Sequence, residues 1–194
     1  MRIGVLGGTF DPPHIAHLIL AEQAREQVAL DEVWFIPAGD PWRKASRDVT
    51  PAAHRIAMTR LVVEGVPGFL VDDCEVKRDG PTYTVDTLRE LRERIHEDDE
   101  LFLLLGEDAL ADIPNWRDPE RLADHAYIVV APREGAEGPS TLPFDPLRVL
   151  RIEMPYVAVS STDLRARARL GRSLRFFVPE AVAAYIEKNE LYQG

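Results

Sequence analysis

Residues 101–105 read Leu-Phe-Leu-Leu-Leu, an apolar run with no polar residue to interrupt it. A strand with one wet face alternates apolar and polar side chains, so an unbroken short run marks a strand buried on both faces. Such a strand sits in the middle of a sheet and needs cover above and below. Residues 127–131, Tyr-Ile-Val-Val-Ala, repeat the pattern.

The remaining segments supply the cover. Residues 3–6 read as another buried strand, and Ile15, Leu18 and Ile19 lay an apolar stripe along the helix that follows. Residues 33–36 form a second strand that Pro37 ends, and 38–48 is a loop rich in Gly, Pro and charge. Thr50-Pro51 is a helix start, an N-cap followed by proline, and Ala53, Ile56, Ala57 and Leu61 carry that helix on. After the break at 65–68, residues 69–76 read as a third strand, Gly80-Pro81 as a turn, and Val85, Leu88, Leu91 and Ile95 as one helix face. Residues 133–146 make a surface loop, 149–152 a last strand, and 160–170 and 179–188 the closing helices. Alternating strands and helices of this length predict an α/β fold: a Rossmann-like, doubly wound parallel sheet with helices on both faces. At 194 residues the chain is expected to be a single domain spanning 1–194. In such folds ligands lie beyond the carboxyl ends of the strands, and the polar clusters at 7–17, 37–44, 106–108 and just before 160 fall there.

Composition narrows the partners. A formal net charge of −10 argues against nucleic acid and against anionic membranes. The lone cysteine, Cys74, allows neither an internal disulfide nor a cysteine metal cluster. No apolar run approaches the ~18 residues of a membrane span, and Gly7, Gly8 and Asp11 interrupt the N-terminus too early for a signal peptide. A cytoplasmic protein is expected. An acidic chain that binds phosphate must gather positive charge locally or recruit a metal cation.

Residues 7–17 look like the place where it does so. Gly7-Gly8 at the end of a strand lets a ligand approach the backbone, and the helix start beyond offers free N–H groups and the positive end of a dipole. His14 and His17, three apart, share one face near that start. The plain alternative is a strand–turn–helix with ordinary surface histidines. Gly7-Gly8-Thr9-Phe10-Asp11-Pro12-Pro13-His14-Ile15-Ala16-His17 is neither a dinucleotide fingerprint nor a P-loop. It resembles the Gly-Gly-Thr-Phe-Asp-Pro-x-His-x-Gly-His signature of the nucleotidyltransferase superfamily. Residues 159–165, with Ser160, Ser161, Thr162 and Arg165, resemble that superfamily's Ile-Ser-Ser-Thr-x-x-Arg. Hydroxyls, helix N-terminal N–H groups and an arginine one turn on would suit β- and γ-phosphates. An N-cap beside a solvated arginine is the competing account.

Two further segments narrow the resemblance to bacterial nicotinate-nucleotide adenylyltransferases, over nearly the whole chain: Asp73-x-Glu75-x-x-Arg78-x-Gly80-Pro81-Thr82-Tyr83-Thr84, and Gly106-Glu107-Asp108 followed by Ile113-Pro114-x-Trp116. The resemblance implies transfer of the adenylyl group of ATP to nicotinate mononucleotide, with Mg2+ on the substrate phosphates. It implies an ATP site at Gly7, Gly8, Thr9, Phe10, His14, His17, Gly106, Asp108, Ser160, Ser161, Thr162 and Arg165. It implies a mononucleotide site at Thr9, Lys44, Thr82, Tyr83, Thr84, Trp116 and Arg133, where Trp116 stacks on the ring unless it only packs. His14, His17, Lys44 and Arg165 would carry catalysis. The sequence departs from the family pattern at Ala16, where glycine is usual, and at Trp42-Arg43 before Lys44. His54, His96 and His125 match no motif and read as structural or surface residues, and Arg167, Arg169, Arg172 and Arg175 as a solvated face. The alternatives are a phosphopantetheine adenylyltransferase or another superfamily member and, more remotely, a non-catalytic nucleotide sensor. A homo-oligomer is left open.

Overall fold

The computed structural model describes residues 1–39, 49–132 and 141–193. Six strands form one sheet: β1 (Arg2–Gly8), β2 (Glu32–Pro37), β3 (Phe69–Val71), β4 (Glu100–Gly106), β5 (Tyr127–Ala131) and β6 (Val149–Arg151). Their order is β3-β2-β1-β4-β5-β6, with every pairing parallel. Chain order reverses between β1 and β4, so the crevice expected of a doubly wound sheet opens beyond their carboxyl ends.

The helices are α1 (Ile15–Gln27), α2 (Ala52–Val63), α3 (Cys74–Lys77), α4 (Thr84–Arg94), α5 (Glu107–Asp112), α6 (Leu122–His125), α7 (Ser161–Arg169) and α8 (Glu180–Lys188). Strand alternation sends successive side chains into two cores. Phe102 and Leu104 of β4, with Val129 and Ala131 of β5, meet α1, α2, α7 and α8. Leu101, Leu103, Leu105, Ile128 and Val130 meet α4, α5, α6 and Cys74. The unbroken run of β4 is thus buried on both faces, at 1–7% exposure, as its pattern requires.

Four details differ from the sequence expectation. The buried face of α1 is Leu20, Ala21 and Ala24, whereas Ile15, Leu18 and Ile19 are only half-buried; the small alanines let the helix lie close to the sheet. Thr50 does not cap α2, because Pro51 holds that position and Thr50 spends its own backbone groups on Arg55 and Asp11. The third strand stops at Val71 rather than running to 76. Asp72 turns the chain by accepting the Cys74 N–H at 2.9 Å, and α3 follows. The short helices α5 and α6 had no counterpart in the sequence reading.

Candidate active site

β1 ends in Gly7-Gly8, and a Cβ on Gly8 would sit 2.9 Å from the Phe10 ring. That ring is buried at 2% exposure and packs edge-on against His17, with centroids 5.0 Å apart. Phe10 therefore supports the site more than it lines it. The Asp11–Pro12 peptide is cis. His14 is the N-cap of α1, so the helix begins one residue after it and not before. The two imidazoles still meet, stacked at 3.8 Å with 28° between planes. The His14 main-chain N–H donates to Nδ1 of His17 at 3.1 Å. That lone pair is committed, so the proton of the neutral His17 ring sits on Nε2, which is the nitrogen a ligand would meet. Protonating both stacked rings would place like charges side by side, which each disfavours in the other. No acidic residue occupies the first turn of α1, so its dipole is not neutralised there.

A second helix start is fastened to this turn. Ser160 caps α7, its Oγ accepting the Asp163 N–H at 3.2 Å. Ser161 Oγ donates to the Pro12 carbonyl at 2.9 Å, and Arg165 Nη1 donates to the Asp11 carbonyl at 2.8 Å. Arg165 Nη2 also donates to Thr162 Oγ1 at 3.3 Å. The Asp11 contact holds the half-buried guanidinium against the turn that carries the histidines, and the Thr162 contact steadies it along α7. A third start, α5, follows β4 with Gly106 as N-cap and an exposed Asp108 in its first turn.

These elements surround a cleft of about 400 Å³ at the switch point, lined by Thr9, Phe10, His14, His17, Gly106, Asp108, Ser160, Ser161, Thr162 and Arg165. Every predicted ATP residue except Gly7 and Gly8 lines it. The two glycines end the strand behind it, and the space beside Gly7 is open. Ala16 lines the cleft as well, which puts its methyl group in the wall.

Four predicted mononucleotide residues lie outside this cleft and near one another. Tyr83 is the N-cap of α4 and Thr84 its first residue, while Thr82 is buried at 7% exposure. Trp116 ends the single turn Ile113–Asn115, donates Nε1–H to Asp112 at 3.3 Å, and packs with Tyr83 against the second core. The Arg117 guanidinium lies 4.7 Å over the Tyr83 ring. Because all strands run parallel, the start of α4 falls at the same sheet edge as the cleft. Lys44 and Arg133, with Trp42 and Arg43, lie outside the described residues.

Similarity searches bear on this arrangement. The family model described as Cytidylyltransferase-like matches residues 5–167. A Thermus thermophilus protein named "Probable nicotinate-nucleotide adenylyltransferase" is 46% identical over 193 residues, covering 100% of both chains. A Salinibacter ruber protein of the same name is 44% identical, covering 100% of this chain and 98% of its own. This chain belongs to the nicotinate-nucleotide adenylyltransferases. Membership makes it a nucleotidyltransferase enzyme of NAD biosynthesis, and the sensor alternative falls away. A solved Plasmodium falciparum nicotinic acid mononucleotide adenylyltransferase, in complex with NaAD, matches the fold at a TM-score of 0.82 and 21% identity, covering 98% and 97% of the two chains.

Within this adenylyltransferase, several residues near the site carried no sequence signal. Asp11, 3% exposed, accepts from the Thr50 N–H at 3.2 Å and the Tyr192 hydroxyl at 2.7 Å. Glu107, 5% exposed, is held by both terminal nitrogens of Arg151, which ties α5 to β6. Met154, Pro155, Tyr156 and Val157, between β6 and α7, form the apolar wall opposite the histidines. Asp11 and Glu107 stood inside the quoted motifs without a role there; the wall at 154–157 needed the fold.

Proposed function

We propose that the cleft binds ATP and that a 5′-phosphate oxygen of nicotinate mononucleotide attacks the α-phosphorus in line. The bond to the β-phosphate oxygen breaks, giving nicotinate adenine dinucleotide and pyrophosphate. The observation that carries this reading is the convergence on one cleft of the stacked His14–His17 pair, the start of α7 and Arg165. The attacking phosphate is already an anion near neutral pH, so no general base is needed. The site's work is alignment and stabilisation of charge. His17 offers Nε2–H to the α-phosphate region. The N–H groups opening α7, with Ser160, Ser161, Thr162 and Arg165, receive the departing pyrophosphate, and Lys44 assists. Tyr83 and Thr84 amides would meet the nicotinate carboxylate and Trp116 the ring face, with Arg133 on the mononucleotide.

Nucleotidyltransferases of this kind work with a divalent cation, here Mg2+. No group of three His, Cys, Asp or Glu side chains among the described residues could hold one. In this reading the ion would arrive on the ATP phosphates and offset their charge. Among the described residues no helix is long and apolar enough to cross a membrane.

Purified protein given ATP, Mg2+ and one acceptor at a time tests the reading. Pyrophosphate release should be fastest with nicotinate mononucleotide and at least tenfold slower in kcat/KM with its amide. Preference for phosphopantetheine would overturn the acceptor assignment.

A further inference from the structure

Arg55 on α2 is 1% exposed and plays no part in the chemistry above. A buried guanidinium is tolerated only when its donors are met. Here main-chain carbonyls meet three of its five N–H groups, one from each of three segments. Nε donates to Thr50 at 2.9 Å, Nη1 to Thr9 at 2.9 Å and Nη2 to Gly39 at 3.0 Å. Thr9 opens the turn that carries the histidines, and Gly39 leaves the end of β2.

Gly39 is held from its other side too. A Cβ there would fall 2.1 Å from the Glu75 carbonyl oxygen and 3.1 Å from Thr82 Cγ2, so only glycine lets the chain pass. Glu75, 9% exposed, accepts the Thr87 hydroxyl at 2.7 Å. Burial pushes the Glu75 carboxyl above its usual range, against the hydroxyls of Thr87 and Thr82, the Arg78 guanidinium and the Gly39 N–H, which face it and act the other way. A continuous path, buried at Arg55, Glu75 and Thr82 and half-buried at Thr9 and Gly39, therefore runs from the histidine turn to the start of α4.

We propose that Arg55 and Glu75 are positioning residues that grip Gly39 from opposite sides and so fix the separation of the ATP and mononucleotide half-sites. The inference rests on the assignment of residues 82–84 to the acceptor made above. Each half-site can hold its own substrate without the grip. In-line transfer also needs the attacking oxygen at near contact with the phosphorus, and a misplacement of about 1 Å costs on the order of a hundredfold. A lysine at 55 cannot replace the guanidinium, because one ammonium cannot present a planar fork to three separated carbonyls.

The test begins with the unaltered enzyme, ATP and nicotinate mononucleotide; no turnover there would refute the assigned reaction and leave the grip unjudged by kcat. Arg55→Lys and Glu75→Gln are then compared at a temperature well below the Tm of each, with Kd for each substrate alone measured by calorimetry. Expected are Kd values within about threefold of the parent and a kcat lower by tenfold or more in Arg55→Lys and about fivefold in Glu75→Gln. A purely structural role would lower Tm and leave kcat per folded molecule unchanged. Both variants within twofold of the parent kcat, or Kd values that rise in step with the loss of kcat, would overturn the proposal. Should Arg55→Lys not fold, the isosteric Glu75→Gln decides. Both side chains act on one residue, so the double variant should lose little more than Arg55→Lys alone; fully additive losses would also overturn it.

Discussion

The two proposed half-sites are built by different physics. On the ATP side the groups are cross-tied by hydrogen bonds: His14 to His17, Ser161 to Pro12, Arg165 to Asp11. On the acceptor side Tyr83 and Trp116 rest on packing against the second core, with Arg117 over the Tyr83 ring. A polyphosphate gathering charge needs donors fixed in direction before it arrives, since reorienting them would cost part of what they stabilise. A flat ring needs a face and a carboxylate needs a helix start, and both are set by how helices seat on the sheet. The contrast can be broken from either side.

The largest expected effect concerns the packed side. Cys74 lies on α3 beside Glu75, 7% exposed, and burial with nearby carboxylates pushes its thiol from 9.0 up to about 12. The folded thiol is therefore neutral from pH 7 to 9. Iodoacetamide should alkylate it roughly a thousandfold more slowly than an ordinary thiol, the rate rising about tenfold per pH unit up to about 12. Mass spectrometry with and without denaturant reads this. Fast alkylation of folded protein at pH 8 would mean that the acceptor side is looser than its packing implies.

On the hydrogen-bonded side, His17→Ala removes the donor proposed for the reacting phosphate and the acceptor for the His14 N–H. We expect kcat to fall by about 10²–10³, with stability lower by only about 1 kcal/mol. Stopped-flow turnover and thermal melting separate the two. A variant turning over like the parent would take His17 out of the mechanism.

What was legible in the sequence follows the same division. The first motif is local because one strand–turn–helix places Gly7 through His17 side by side, so spacing exposes a phosphate cradle and the family resemblance points to ATP. The sheet was legible from apolar runs, since burial on both faces leaves a pattern. Arg55 was not, because its partners are carbonyls 46, 16 and 5 residues away, and every residue type has a carbonyl. The end of β3 was misjudged for a related reason. Residues 73–76 alternate polar and apolar as a strand does, and the Asp72 turn stops it. The family resemblance grouped Trp116 with Tyr83, but whether its ring stacks or packs depends on contacts that no spacing encodes.

Trp116→Ala should act on one substrate only. Losing an aromatic face costs about 1–2 kcal/mol of ring contact, so KM for nicotinate mononucleotide should rise about tenfold while KM for ATP stays within twofold. Initial-rate kinetics with each substrate varied in turn make the comparison. An equal rise in both would show that the half-sites are not independent in binding.

The smallest effect tests the one place where the ATP side departs from its family signature. Ala16 is the second residue of α1 and its methyl group borders the cleft. Restoring the usual glycine removes that methyl and loosens the first turn of the helix. The two consequences oppose each other. Space for the nucleotide increases, but glycine in a helix lowers stability by about 0.5–1 kcal/mol and makes the His14–His17 pair harder to hold in register. If pre-set donors dominate on this side, Ala16→Gly should raise KM for ATP or lower kcat by up to about threefold, with a slightly lower Tm. If fit dominates, KM for ATP should fall instead. A fall would place steric space ahead of donor order on this side, and the contrast with the packed acceptor side would lose its basis.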